Sequence, residues 1–156
     1  MTSIANTAVA LVALLHFGFL VLEMFLWTQP LGLRTFGTTP DFAKASKALA
    51  ANQGLYNGFV ATGLGWGLVL GDAGTSIKVF FLCCVVVAGV FGGFTASRKI
   101  LWVQALPGAL ALALVLLGER PLSAERGDLG EKVFRIDRLD YVVLGALADA
   151  PHPVGF

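Results

Sequence analysis

The chain has 156 residues, of which 56% are hydrophobic and only 13% charged, with a formal net charge of +1. Soluble domains carry roughly 25% charged residues, so this composition excludes an ordinary water-soluble fold. A near-zero balance also excludes the basic footprint that nucleic-acid binding requires. The two cysteines, Cys83 and Cys84, are adjacent. That spacing suits neither a disulfide nor a metal site, and they read as small packed hydrophobes.

Four apolar runs approach the ~20 residues needed to cross a bilayer. They fall at about 4–27, 49–70, 77–96 and 100–117. The first lacks the basic n-region of a signal peptide and is longer than the ~7–15 residues of an h-region, so it reads as a retained helix. Residues 29–38 contain Pro30, Gly32 and Gly37 and read as the connecting loop. Thr39-Pro40-Asp41 then offers an N-cap hydroxyl, a proline at the first helical position and an early acid. From there DFAKASKALAANQ has no breaker, which predicts one helix running from residue 40 into the second span.

Residues 71–74 turn the chain into the third span, with Thr75 or Ser76 as the expected cap. Ser97-Arg98-Lys99 is short enough to force an antiparallel hairpin into the fourth. Pro107 falls inside that last span, where it removes a backbone donor and predicts a kink that frees the Val103 carbonyl. The expected fold class is therefore all-α: an integral membrane antiparallel four-helix bundle over residues 1–118, followed by a polar, soluble or interfacial tail over 119–156. Within the tail, His152 lies between two prolines and reads as a loop residue.

Arg34, Lys44 and Lys47 follow the first span, and Arg98 and Lys99 follow the third. The positive-inside rule places those odd-numbered loops in the cytoplasm and both termini outside. Trp27, Trp66 and Trp102 fall near span ends, where an interfacial belt is expected. Gly54-xxx-Gly58, Gly63-xxx-Gly67-xxx-Gly71 and Gly89-xxx-Gly93-xxx-Ser97 form small-residue strips, suited to close packing within the bundle or to a homodimer.

Because the spans alternate in direction, the polar residues gather on one side: His16 and Glu23, then Asn52, Gln53, Tyr56 and Asn57, then Thr95 and Gln104. The opposite half reads as an apolar floor. An acid at the centre of a membrane helix costs at least ~2.5 kcal/mol and normally has a partner and a purpose. His16 and Glu23 are seven residues apart, so they share a helix face at a rise of ~10.5 Å. That separation suits two groups acting on different ends of one small molecule. Amides in hydrocarbon need partners, so Asn52, Gln53, Asn57 and Gln104 are expected to face the interior, with Tyr56 beside them.

The leading functional reading is a one-sided intramembrane polar pocket that binds a small amphipathic or isoprenoid-like molecule. Glu23 and His16 are the candidate catalytic acid and base, for an isomerisation or cyclisation. Asn52, Gln53, Tyr56, Asn57 and Gln104 are the candidate ligand-binding residues. Two other readings stand beside it: a dimeric proton-coupled transporter of small solutes, and an accessory subunit of a larger membrane complex. No metal spacing or cofactor motif is present. Bis-histidine haem would need two histidines within the spans, and only His16 qualifies.

LHFGFLVLEMFLWTQPLG, ANQGLYNGFVATG, VVVAGVFGGFT and VQALPGALAL together resemble a bacterial family of small integral membrane proteins known only as domain of unknown function 1304 (DUF1304). The most specific parts are H-x6-E-M-x2-W and N-Q-G-x-Y-N. The resemblance implies a four-helix, multi-pass protein of the bacterial inner membrane and singles out His16, Glu23 and the 52–57 segment. It implies no activity, and the tail departs from its pattern. A fainter likeness to membrane sterol isomerases and terpene cyclases concerns mechanism alone, through embedded acids in small helical bundles.

Overall fold

The computed structural model describes residues 3–118, so the expectations for the tail lie outside the described residues. Among the described residues every regular element is helical. Helix α1 spans Ser3–Met24, α2 Pro30–Phe36, α3 Pro40–Ala45, α4 Lys47–Val69 and α5 Thr75–Thr95. A π-helical segment, Leu101–Ala105, then runs directly into α6, Leu106–Gly118. Three of these helices are long and apolar enough to cross a membrane: α1, α5 and the continuous stretch Leu101–Gly118. The sequence reading expected four. Helix α4 has the length, 23 residues, but not the apolarity, because Asn52, Gln53 and Asn57 lie in its first half among five glycines along its length.

Helix α1 packs along α4 and also along α6, while α5 packs against α4 and α6. Each long helix thus has two neighbours. The core between them is made mostly of small side chains, Ala5, Val9, Val12, Val85, Ala111 and Val115, with two leucines, Leu64 and Leu82. Large apolar residues such as Leu14, Phe17, Phe80, Phe94, Trp102 and Leu117 face outward. A water-soluble monomer rarely exposes apolar patches of that extent. In lipid the order is natural, because helix association there rests on close packing of small residues.

The glycine strips make those close approaches within the chain. A Cβ on Gly54 would lie 3.1–3.2 Å from Met24 N, Glu23 Cβ and the Leu20 carbonyl oxygen of α1. Gly58 meets Leu20, Gly63 meets the Phe81 ring, Gly89 meets Ala105, and Gly93 meets Leu101.

The connections correct several expectations. The 29–38 segment contains a short helix, α2, rather than a plain loop. Pro30 starts it and Gly37, at φ 64°, ends it, so the same residues that suggested a loop act as helix punctuation. Thr39 caps α3 as expected, its hydroxyl accepting from the Phe42 N–H at 3.3 Å. The helix then breaks at Ser46, whose hydroxyl donates to the Phe42 carbonyl at 2.7 Å and accepts from the Trp27 indole at 3.1 Å. Serine competes with the backbone in this way, and here it divides α3 from α4.

Gly71 adopts φ 61° in the next turn, and the N-cap of α5 is Gly74 rather than Thr75 or Ser76. Thr75 instead donates to the Asp72 carbonyl at 2.8 Å. Ahead of Pro107 the expected perturbation takes the form of the π-helical segment, closed by the Leu106 N–H on the Leu101 carbonyl. Cys83 and Cys84 are exposed on the outer side of α5 and do not pack in the core.

Candidate functional site

The end of α1 and the first half of α4 meet where Gly54 allows the two backbones to approach. Asn57 lies one turn further along α4. Its side-chain amide donates to Glu23 Oε2 at 2.7 Å and also lies 3.2 Å from the Gln53 carbonyl. Both partners are half-buried. A neutral amide held against a carboxylate in this way orients the acid without neutralising it, and charge-assisted bonds of this length are the stronger kind. Among the described residues no hydrogen bond reaches the other carboxylate oxygen, which leaves one face of Glu23 chemically available.

His16 lies two turns back along α1 and is 1% exposed. Its Nδ1 is 2.8 Å from the Val12 carbonyl. A carbonyl only accepts, so Nδ1 carries the proton and Nε2 of the neutral ring is an acceptor. That Nε2 is buried and has no hydrogen-bond partner among the described residues. The Phe19 ring stands edge-on to the imidazole, 5.8 Å between centroids. Leaving a buried acceptor unmet costs about 1–3 kcal/mol. A donor arriving from a ligand or a water would recover that cost.

The remaining candidates are distributed differently from the sequence expectation. Asn52, Gln53 and Tyr56 are exposed and do not turn inward. The reason is angular: Gly54 and Gly58 take the α1-facing side of α4, and residues two before each lie on the far side of a helix with 3.6 residues per turn. Gln104 is half-buried in the π-helical segment. Among the described residues no side-chain hydrogen bond joins it to Glu23 or His16. The structure therefore brings together Glu23 and Asn57, and it sets His16 apart with an open acceptor.

The opposite half is also less apolar than expected. Lys78 is fully buried near the start of α5, its stem lying over Gly67 and its ammonium donating to the Gly71 carbonyl at 2.7 Å. Asn6 has a buried Oδ1 with no partner among the described residues. Lys78 lies four residues past the 71–74 turn and carried no site expectation from the sequence. Its position over the glycine strip was the available signal, since a lysine beside a missing side chain can lie flat and reach a helix C-terminus. Among the described residues no group of three or more His, Cys, Asp or Glu could hold a metal ion.

A family model described as "Protein of unknown function (DUF1304)" matches residues 10–116. The chain belongs to the DUF1304 family. The match takes in α1 from its second turn, the whole α1–α4 seam and most of α6. The chain is also similar to an uncharacterized protein, YpaA, of Lactococcus lactis subsp. lactis (strain IL1403). The two are 30% identical over 107 residues, covering 67% of this chain and 88% of that relative. No solved structure matches the chain significantly. Membership in DUF1304 thus assigns a family and no activity.

Proposed function

We propose that this DUF1304 protein crosses the bacterial inner membrane four times as an antiparallel four-helix bundle. We further propose that its α1–α4 seam binds a small amphipathic, isoprenoid-like molecule. Helix α4 is the fourth crossing in this reading. It packs against α1 and α5, both apolar enough to span, and it shares their length. Its polar half then lies toward the headgroups on the side of Arg34, Lys44, Lys47, Arg98 and Lys99, the cytoplasmic side by the positive-inside rule.

The observation that carries the ligand reading is the 2.7 Å hydrogen bond from Asn57 to Glu23. It holds a carboxyl group between two membrane helices with one oxygen left open. In this site Glu23 exchanges a proton with the polar end of the ligand. The buried Nε2 of His16 accepts from a hydroxyl on the other end, ~10.5 Å away along the helix. Such a pair supports acid–base isomerisation or cyclisation, and Asn57 positions the acid.

The test is Glu23→Gln in the purified protein, with co-purifying small molecules identified by mass spectrometry of an organic extract. Gln keeps an oxygen for Asn57, so thermal unfolding should be nearly unchanged while the retained molecule is lost. Equal retention by wild type and the Gln variant would remove the proposal.

A further inference from the structure

Val86 and Val90 of α5 face Trp102, Ala105, Leu106 and Ala109 across a groove of about 340 Å³. None of the residues assigned to the ligand seam lines it, so it is a separate feature. Every wall residue named is apolar, and Trp102 is 72% exposed. The groove forms where two contacts draw α5 onto the π-helical segment: Gly89 on Ala105 and Gly93 on Leu101.

Its position along the hairpin says what fills it. Arg98 and Lys99 are exposed in the turn immediately above. Trp102 begins three residues beyond Lys99, ~4.5 Å lower along a helix, and Val86 lies nine residues before Thr95, ~13.5 Å down. The order from the turn inward is two cations, an indole at the level where tryptophan favours the membrane interface, then a purely apolar trough. No acidic residue occurs between Asp72 and Glu119, so neither cation has a carboxylate on its own hairpin. Headgroup, interface and chain of an anionic phospholipid follow the same sequence. A zwitterionic lipid or a free apolar molecule would use the trough and leave the cations, whatever their part in setting topology, without a net anionic partner. A free phosphate would use the cations and leave the trough empty.

We propose that this groove is a binding site for an anionic phospholipid, with one acyl chain against Val86, Val90 and Ala109 and its phosphate at Arg98 and Lys99. A juxtamembrane cation contributes roughly a fivefold preference for anionic lipid. Losing both should therefore cost more than tenfold.

The experiment uses the full chain with Trp27→Phe and Trp66→Phe, leaving Trp102 as the reporter, in nanodiscs doped with phosphatidylglycerol or phosphatidylcholine brominated on the acyl chain. Brominated phosphatidylglycerol should quench Trp102 at a much lower mole fraction than brominated phosphatidylcholine. Arg98→Gln with Lys99→Gln should erase the difference. Ala109→Phe, at an exposed wall position, should reduce quenching by both lipids while circular dichroism stays that of the parent. Equal quenching by the two lipids in the parent would overturn the proposal, as would a preference unaffected by the double Gln variant. Ala109→Phe quenched as strongly as the parent would overturn the acyl-chain placement.

Discussion

Asn57 on α4 donates to Glu23 on α1 at 2.7 Å, one turn along α4 from the point where Gly54 lets the two helices touch. Backbone proximity and side-chain pairing are therefore one arrangement: the glycine sets the distance that the amide then bridges. Interhelical side-chain hydrogen bonds in membranes average about 0.6 kcal/mol and reach about 1.7. Asn57→Ala should destabilise the protein by an amount in that range, and Asn57→Gln, which is longer by a methylene, should recover only part of it. Steric-trapping unfolding in bicelles gives the comparison.

Gly54 and Gly18 make a matched pair for testing the seam. A Cβ at Gly54 meets three atoms of α1 at 3.1–3.2 Å, two of them backbone, whereas at Gly18 it meets nothing within 4 Å. Gly54→Ala should cost about 1–3 kcal/mol through overpacking. Gly18→Ala should be neutral or stabilise by up to about 1 kcal/mol through helix propensity. Equal effects would mean that α1 and α4 do not pack along the Gly54 face.

Lys78 closes the α4–α5 turn through the Gly71 carbonyl. Lys78→Met keeps the apolar stem over Gly67 and removes only the donor. It should leave the bundle assembled but raise amide hydrogen exchange around Gly71 and Gly74 by roughly tenfold, in line with the ~1.5 kcal/mol of a hydrogen bond from a charged donor, since the Gly71 carbonyl keeps the Gly74 N–H at 3.3 Å. Lys78→Ala removes the stem as well and should also lower global stability.

Pro107 follows the π-helical segment by two residues. Pro107→Ala restores a backbone N–H to the helix and lets 101–105 return to α-helical register. One residue fewer in the bulge rotates everything before it by ~100° about the helix axis. Trp102 should then leave the wall of the apolar groove. Its fluorescence maximum and its quenching by acyl-chain bromine report the change.

Much of this architecture is legible in the sequence because length and apolarity act locally. The limits of α1, α5 and the continuous stretch Leu101–Gly118 lie within a few residues of those expected, and Thr39 caps α3 as its hydroxyl suggested. Glu23 and Asn57 could be nominated because polar groups at membrane depth are few. What was not legible depends on rotation about helix axes. Whether Asn52 and Tyr56 face in or out is decided by Gly54 and Gly58 claiming the α1 side, and glycine has no hydropathy with which to announce a buried face. Ser46 and Lys78 were missed for a related reason. Each makes a contact with a residue distant in the chain or across a turn, Trp27 for Ser46 (beside its local bond to the Phe42 carbonyl) and Gly71 for Lys78.

The core of mostly Ala, Val and Gly, with Leu64 and Leu82 among them, under a coat of Leu, Phe and Trp has a consequence for how the protein tolerates change. In a soluble domain the bulky interior resists replacement and the skin drifts. Here the order is reversed. A bulky residue such as Phe17 or Leu117 can be exchanged for another lipid-compatible side chain at little cost. Gly54, Gly89 and Ala111 have almost no acceptable substitutes. A saturation-mutagenesis map of this chain would place its most sensitive positions at its smallest side chains.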